Sequence, residues 1–425
     1  MKRITIFLAL LIGIPQTIFG QVINGRFSSS IYTFERFDSL DASNTHLRAY
    51  QTLNLNFNES NYSLRSYLNM ENDFLEPGDS DPRLRFYNLF FEARNLFKLA
   101  TIKIGRQPVF NNVGGGVFDG AQVDLKYQAY KLSAYYGGNV PAYQKLDITD
   151  NWEDNYIYGG RFTVSALKDL IVALAYVNKN FKSSDYFATR FDENFNPITR
   201  LIEAKSNQFS FASGQVNYRM ENIFSADARY DYDFNYKKSS KMEFNTRYEQ
   251  IRNLGINFYY NYREPRIRYN SIFSVFDFGN SQEIEAGADY KFGIFTAIGK
   301  FGYVKYKTDN SQRFSLGVNS AFGSLIYRKS LGYAGELDAL SFYSAHSFME
   351  GFITPSLGLS FTSYKLSAED EKNGLMSLLA GVNVRPWRVL SFDVQGQYLN
   401  NKIYSNDFRL FFKINYWFNT NLNLM

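Results

Sequence analysis

The chain has 425 residues, no cysteine, two histidines and a net charge of +5. The absence of cysteine excludes a disulfide scaffold and any thiolate metal site. The small net charge, with no Lys/Arg cluster, argues against a nucleic-acid surface. Aromatic residues form 18% of the chain, about double the usual share.

Lys2 and Arg3 precede an apolar stretch from Ile4 to Ile14, which Pro15 ends. With the small residue Gly20 ahead of Gln21, this reads as a secretory leader over residues 1–20, too short to span a membrane. No cysteine follows for a lipid anchor. Residues 21–425 read as one domain, with no later apolar run long enough for a membrane helix.

From there on, apolar and polar residues alternate. A strand turns successive side chains to opposite faces. Leu47, Leu53 and Phe57 oppose Arg48, Thr52 and Asn56; Tyr62, Leu64 and Leu68 oppose Arg65, Tyr67 and Glu71. Farther on, Phe224, Ala226, Ala228, Tyr230 and Tyr232 oppose Ser225, Asp227, Arg229, Asp231 and Asp233. Met242 and Phe244 oppose Glu243, Arg247 shares the Glu243 face, and Ile284, Ala286 and Ala288 oppose Glu283, Glu285 and Asp289. Long strands with one aromatic-rich face and one charged face predict an all-β fold. They fit a single antiparallel transmembrane β-barrel of about 18–22 strands, with lipid outside and water inside.

Short connections are expected near Asn58–Ser60, Gln128–Ala129, Ala166–Lys168, Phe292–Gly293, Phe322–Gly323 and Arg385–Arg388. Longer ones are expected near 72–82, 107–117, 138–155, 182–205, 263–281 and 366–374. This is the asymmetry of short periplasmic turns and longer outer loops. The stretch 324–345 reads as two short strands or as one strand and a loop, and 100–106 and 130–137 are weak strand signals. The final strand, Phe408 to Phe418, ends in Tyr416, Trp417 and Phe418. It is similar to the C-terminal aromatic signal that barrels present to their assembly machinery, although Asn419 to Met425 follow it.

The run Ile102-Lys103-Ile104-Gly105-Arg106-Gln107, a Gly-rich loop to Gly116, then Phe118-Asp119-Gly120-Ala121 and Val123-Asp124-Leu125, resembles the alginate-export-type porins. The resemblance implies an outer-membrane channel of about eighteen strands with an arginine-rich lumen. The charges here are mixed. Arg48, Arg65, Arg94, Lys103, Arg106, Arg161, Arg409 and Lys413 are assigned to the pore lining as bases, with Asp124. Acids cluster between Asp227 and Asp289, interleaved with Arg229 and Arg247. Ring closure would bring Arg409 and Lys413 beside Arg48 and Arg65, which predicts a basic terminal wall facing an acidic middle wall.

Gly114-Gly115-Gly116 lacks the following Lys-Ser/Thr pair of a phosphate loop. It reads as a flexible loop that could fold inward, and 107–117 and 263–281 are both open as constrictions. His46 and His346 lie in no catalytic motif. Glu283 and Glu285 share a face about 7 Å apart and could hold Ca²⁺, but the nearby arginines favour ion pairs. The expectation is a porin-like channel for small polar or charged solutes, saccharides among them, in the outer membrane of a Gram-negative bacterium. No enzymatic activity, metal or cofactor is expected, and the partners expected are membrane lipid, the barrel assembly machinery and the solutes. A closed structural or secretion-associated barrel, or a barrel hydrolase, is the alternative.

Overall fold

A computed structural model describes residues 21–422 apart from 40–41, 80, 111–112, 142–145, 182–185, 192, 194, 203–207, 270, 333–335, 366–368 and 403–406. The leader expected over 1–20 lies outside the described residues. In chain order the strands are β1 (Gln21–Ser39), β2 (Ala42–Glu59), β3 (Tyr62–Asp73), β4 (Arg83–Leu96), β5 (Ala100–Phe110), β6 (Gly115–Tyr127), β7 (Tyr130–Val140) and β8 (Tyr156–Leu167). Next come β9 (Leu170–Lys179), β10 (Tyr186–Phe191), β11 (Pro197–Ile202), β12 (Phe209–Met220), β13 (Phe224–Asp233), β14 (Lys238–Tyr248), β15 (Leu254–Arg263) and β16 (Ser281–Phe292). The last are β17 (Phe295–Lys305), β18 (Asn310–Ser320), β19 (Gly323–Gly332), β20 (Leu337–Ala345), β21 (Ile353–Tyr364), β22 (Asn373–Trp387), β23 (Leu390–Asn400) and β24 (Asp407–Leu422).

All but β10 and β11 form one antiparallel sheet of 22 strands, each paired with its sequence neighbours, β9 with β12. β24 pairs with β1 from Gln21↔Leu422 to Tyr32↔Phe411, and the ring closes. Closure leaves no unpaired edge, the condition for a sheet surrounded by hydrocarbon. The strand number lies at the top of the expected range and above the value implied by the family resemblance. β10 and β11 form a separate hairpin in the β9–β12 connection.

The stretch 324–345 is two strands, β19 and β20, and the weak signals became β5 and β7. Every expected short turn falls at one end of the barrel and every expected long loop at the other. Beyond Phe418 the last strand continues to Leu422, so most of the residues after the aromatic triplet lie in the seam with β1.

Register carries the two faces around the ring. Phe258, Ala286, Phe301 and Phe314 form one cross-strand row, and the three rings are 40–51% exposed. One residue away, Arg247, Asn257, Gly287, Lys300, Ser315 and Arg328 form the row of the other face. The charged face is the inner one. Arg266, from the β15–β16 loop, crosses it to reach Asp231 on β13 and the backbone of Val113 in the β5–β6 loop.

Candidate functional site

Twenty-two strands about 4.8 Å apart, tilted by about 40°, enclose a backbone cylinder about 40 Å across. Inward side chains alone cannot fill that width. The lumen is therefore the candidate site.

One sector is apolar and covered. Val109, Val113, Phe118, Tyr135, Ile157, Ala175, Val177 and Phe211 form a buried cluster on the inner face of β5–β9 and β12. Phe118 and Tyr135 lie with ring centroids 5.7 Å apart. Gly120 and Gly137 leave space for the Phe118 ring, since a Cβ at Gly137 would come within 2.8 Å of it. Val113, fully buried, brings the β5–β6 loop down onto this wall. Arg266 clasps it there: Nη1 donates to the Val113 carbonyl at 2.7 Å and Nη2 to Asp231 at 3.1 Å. The guanidinium also stands 5.2 Å from the Phe211 ring centroid. Burial, added to the nearby Arg229 charge and opposed by Asp231, holds this guanidinium below its usual range. Loops 107–117 and 263–281 therefore meet inside the barrel.

Two sectors are charged, and many of their charges are paired locally. On the terminal wall Arg48 meets Asp73 at 3.1 Å and Glu71 at 3.5 Å, Arg65 meets Glu92 at 3.1 Å, and Arg409 meets Asp407 at 2.6 Å. Lys413 lies directly across from Asp393. Lys103 meets Asp124 at 3.3 Å, and Arg94 lies 4.0 Å from Glu92 near the short-turn end. On the middle wall Arg229 meets Asp231 at 2.6 Å, Arg247 meets Asp289 at 2.6 Å, Lys300 meets Glu285 at 2.9 Å and Arg313 meets Glu283 at 2.8 Å. Glu243 pairs with Lys241, Asp227 accepts from Asn217, and Arg161 reaches Gln215 at 3.5 Å. Asp233 receives the backbone N–H groups of Asn235 and Tyr236 and so shapes the β13–β14 turn.

The charges of the expected basic and acidic walls therefore lie largely in local ion pairs rather than alone. The missed anions were Glu71, Asp73 and Asp407. Their signal was local: Glu71 and Asp73 share the Arg65 face, and Asp407 stands two residues before Arg409. Like charges also meet: Lys126 lies directly across from Lys131 beside the β6–β7 turn. Lys241 lies directly across from Arg263, an arrangement that costs stability. Both line a cavity of about 730 Å³ at the long-loop end, with Arg229, Arg266 and Lys307. Among the described residues Arg263 has no ion-pair partner.

The assignment of Arg106 to the pore lining is also corrected. Register pairs it with Leu89 and Asp119, on the face of Ile104 and Ala121 rather than of Lys103. Residues three apart in a regular strand cannot share a face. Arg106 donates to both Asp119 oxygens at 2.7 and 2.8 Å and to the Asp147 carbonyl, while Thr149 N–H donates to Asp119 at 2.8 Å. Trp152 and Thr149 pack on Gly138. The β7–β8 loop thus folds over the outer surface and seals a charged pair that lies on the apolar parity.

His46 places Nδ1 2.5 Å from Asp73, its ring stacks on Phe34 at 4.8 Å, and Asp73 also receives Arg48 and the backbone N–H groups of Leu75 and Glu76. That carboxylate anchors the β3–β4 loop. His346 packs between Phe322 and Phe348 in the turn after β20.

The remaining sector, β20–β22, presents an uncharged inner face between its ends. Ser341, Ser360 and Ser377 form one row and Tyr343, Gly358 and Leu379 the next. No charged residue occurs anywhere in β21.

No protein-family model matches the chain, and no curated relative does. Among solved structures it is similar to the P pilus usher (PapC) translocation pore, at 9% identity and a TM-score of 0.45, over 93% of this chain and 99% of that one. Acinetobacter baumannii OccAB4 aligns at 11% identity and a TM-score of 0.44, over 96% and 100%. A BenF-like porin from Pseudomonas fluorescens Pf-5 aligns at 9% and 0.45, over 94% and 99%. At these scores the chemistry has to come from the residues of this chain.

Proposed function

We propose that this barrel is a porin-like channel of a Gram-negative outer membrane, through which small polar or charged solutes diffuse. The observation that carries the reading is a closed ring of 22 strands whose inner face is charged and whose outer face is apolar. Hydrocarbon suits the second face and water the first. Ion pairs along the inner wall, partly open to water, hold its charges in place against the wall. The Gly-Arg-Gln and Asp-Gly run, which resembles that of alginate-export-type porins, serves barrel construction in this reading, because its Arg106 and Asp119 hold the β7–β8 loop on the outer surface.

The test is single-channel conductance of the refolded full chain in planar bilayers under a KCl gradient. Steady conductance with a modest ion preference is expected, since paired walls leave little excess of either sign. A folded, inserted barrel that passes no current would favour a closed structural barrel instead.

A further inference from the structure

The uncharged sector has a position that gives it a use. In a ring of 22 strands the wall opposite β21 lies eleven strands away, at β8. That is the wall on which Val113 is buried, against Ile157 and Val177. The inward loop thus occupies one side, the paired charges flank it, and the wall facing it is β20–β22.

The chemistry of that wall is specific. Alternate residues of β21, Thr354, Ser356, Gly358, Ser360 and Thr362, run along the barrel axis on the inner parity. Ser341 and Ser360 hydroxyls lie 3.3 Å apart, and the Gln397 amide donates to Ser377 at 3.2 Å. Hydroxyls and amides both donate and accept, so they can follow a solute hydroxyl in either role. In the middle stands an aromatic group. Tyr343 is 50% exposed although it faces inward, and Gly358 beside it carries no side chain, a Cβ there lying 3.6 Å from the ring. An accessible ring among hydroxyls and amides matches a solute with apolar C–H faces and hydroxyl edges.

We propose that β20–β22 form the solute track of the pore and that its solute is an uncharged polyhydroxylated molecule, a neutral saccharide or polyol. Tyr343 contacts its C–H face, and Ser341, Ser360, Ser377 and Gln397 exchange hydrogen bonds with its hydroxyls. The inference rests on the channel reading and narrows it to one wall and one chemical class.

The experiment uses the refolded full chain in liposomes, with raffinose as the probe and an acidic trisaccharide of similar size as the comparison. KCl conductance is recorded in parallel, and heat-modifiable gel mobility reports folding. Wild-type protein should admit raffinose faster than the acidic sugar. Tyr343→Ala should lower raffinose flux about fivefold to tenfold, with KCl conductance changed less than about twofold. Tyr343→Phe keeps the ring and should restore the flux. If Tyr343→Ala does not fold, Ser360→Arg, which places a charge on the track, should lower raffinose flux in its place. Wild-type conductance without raffinose preference, or raffinose flux unchanged in folded variants, overturns the track and leaves the channel standing. Wild-type protein without conductance overturns both.

Discussion

Arg106 and Asp119 provide the sharpest test of how this barrel is put together. Both side chains are only 6% exposed, and both lie on the apolar parity. Arg106→Met removes the bidentate contact and the bond to the Asp147 carbonyl, and it strands a buried carboxylate that keeps one donor, the Thr149 N–H. Breaking a buried pair from one side costs about 3–5 kcal/mol. Replacing both partners, as in Arg106→Met with Asp119→Leu, removes the stranded charge as well. The double variant should therefore recover part of that loss, keeping the cost of a loosened β7–β8 loop, about 1–3 kcal/mol for its two lost backbone hydrogen bonds. Reversible urea unfolding in bilayers, followed by tryptophan emission, measures each value. Trp152 lies in the affected loop, so its environment should change even where the barrel survives. Ion selectivity should stay at the wild-type value in both variants, because neither residue faces the lumen. A shift in reversal potential with Arg106→Met, at unchanged stability, would refute the register argument and return Arg106 to the pore lining.

Leu316 is 48% exposed on the outer face, and Ser315 is its inward neighbour. Leu316→Arg should cost about 2–4 kcal/mol if it lies near mid-bilayer and Ser315→Arg far less; equal losses by urea unfolding would mean the faces are misassigned. Arg266→Ala removes the clasp on Val113 and should raise single-channel conductance while gel mobility stays that of a folded barrel; unchanged conductance would show that the two loops hold their places without it. Burial pushes the Glu264 carboxyl up, but the Lys238 ammonium at 2.8 Å and the Tyr262 hydroxyl outweigh it and hold it below its usual range. A depressed folded value means that the carboxylate stabilises the loop fully above the unfolded value of about 4.3 and loses that contribution as pH falls through the lower folded one. Proteolysis of the β15–β16 loop should therefore quicken on acidification in wild type and lose that pH dependence in Glu264→Gln.

Alternation made the barrel legible, because burial on one side and water on the other force a period of two on every strand. It was faint at 100–106 and 130–137, where few residues carry the signal, and there the strands β5 and β7 emerged only in the structure. Turn chemistry made the two ends legible for the same local reason. Pairing was not legible. Arg247 meets Asp289 across 42 positions of sequence, and Arg266 meets Val113 across 153. Such contacts follow from register and from how far a loop folds inward, and neither is written in any one segment. The Gly-Arg-Gln run misled for a related reason: a basic residue in a barrel strand suggests the lumen, whereas parity within the strand decides the face.

The arrangement of charge bears directly on what the lumen can select. A field across a pore needs separated charge, and here many inward guanidinium groups have a carboxylate on the same strand or within two strands. Such pairs are short dipoles, whose influence falls off faster with distance than that of single charges and is screened within about a Debye length of 8–10 Å. In a cylinder about 40 Å wide they organise water near the wall more than they steer ions through the centre. The exceptions then matter most. Arg263, without an ion-pair partner among the described residues and set opposite Lys241, leaves net positive charge beside the cavity at the long-loop end, where a solute would first enter. Beyond it, β20–β22 present an uncharged inner face between their ends, so a solute passing inward exchanges a basic entrance for a neutral hydroxyl surface. Weak, repeated hydrogen bonding along that wall is compatible with passage, because it does not hold a solute tightly enough to stop it.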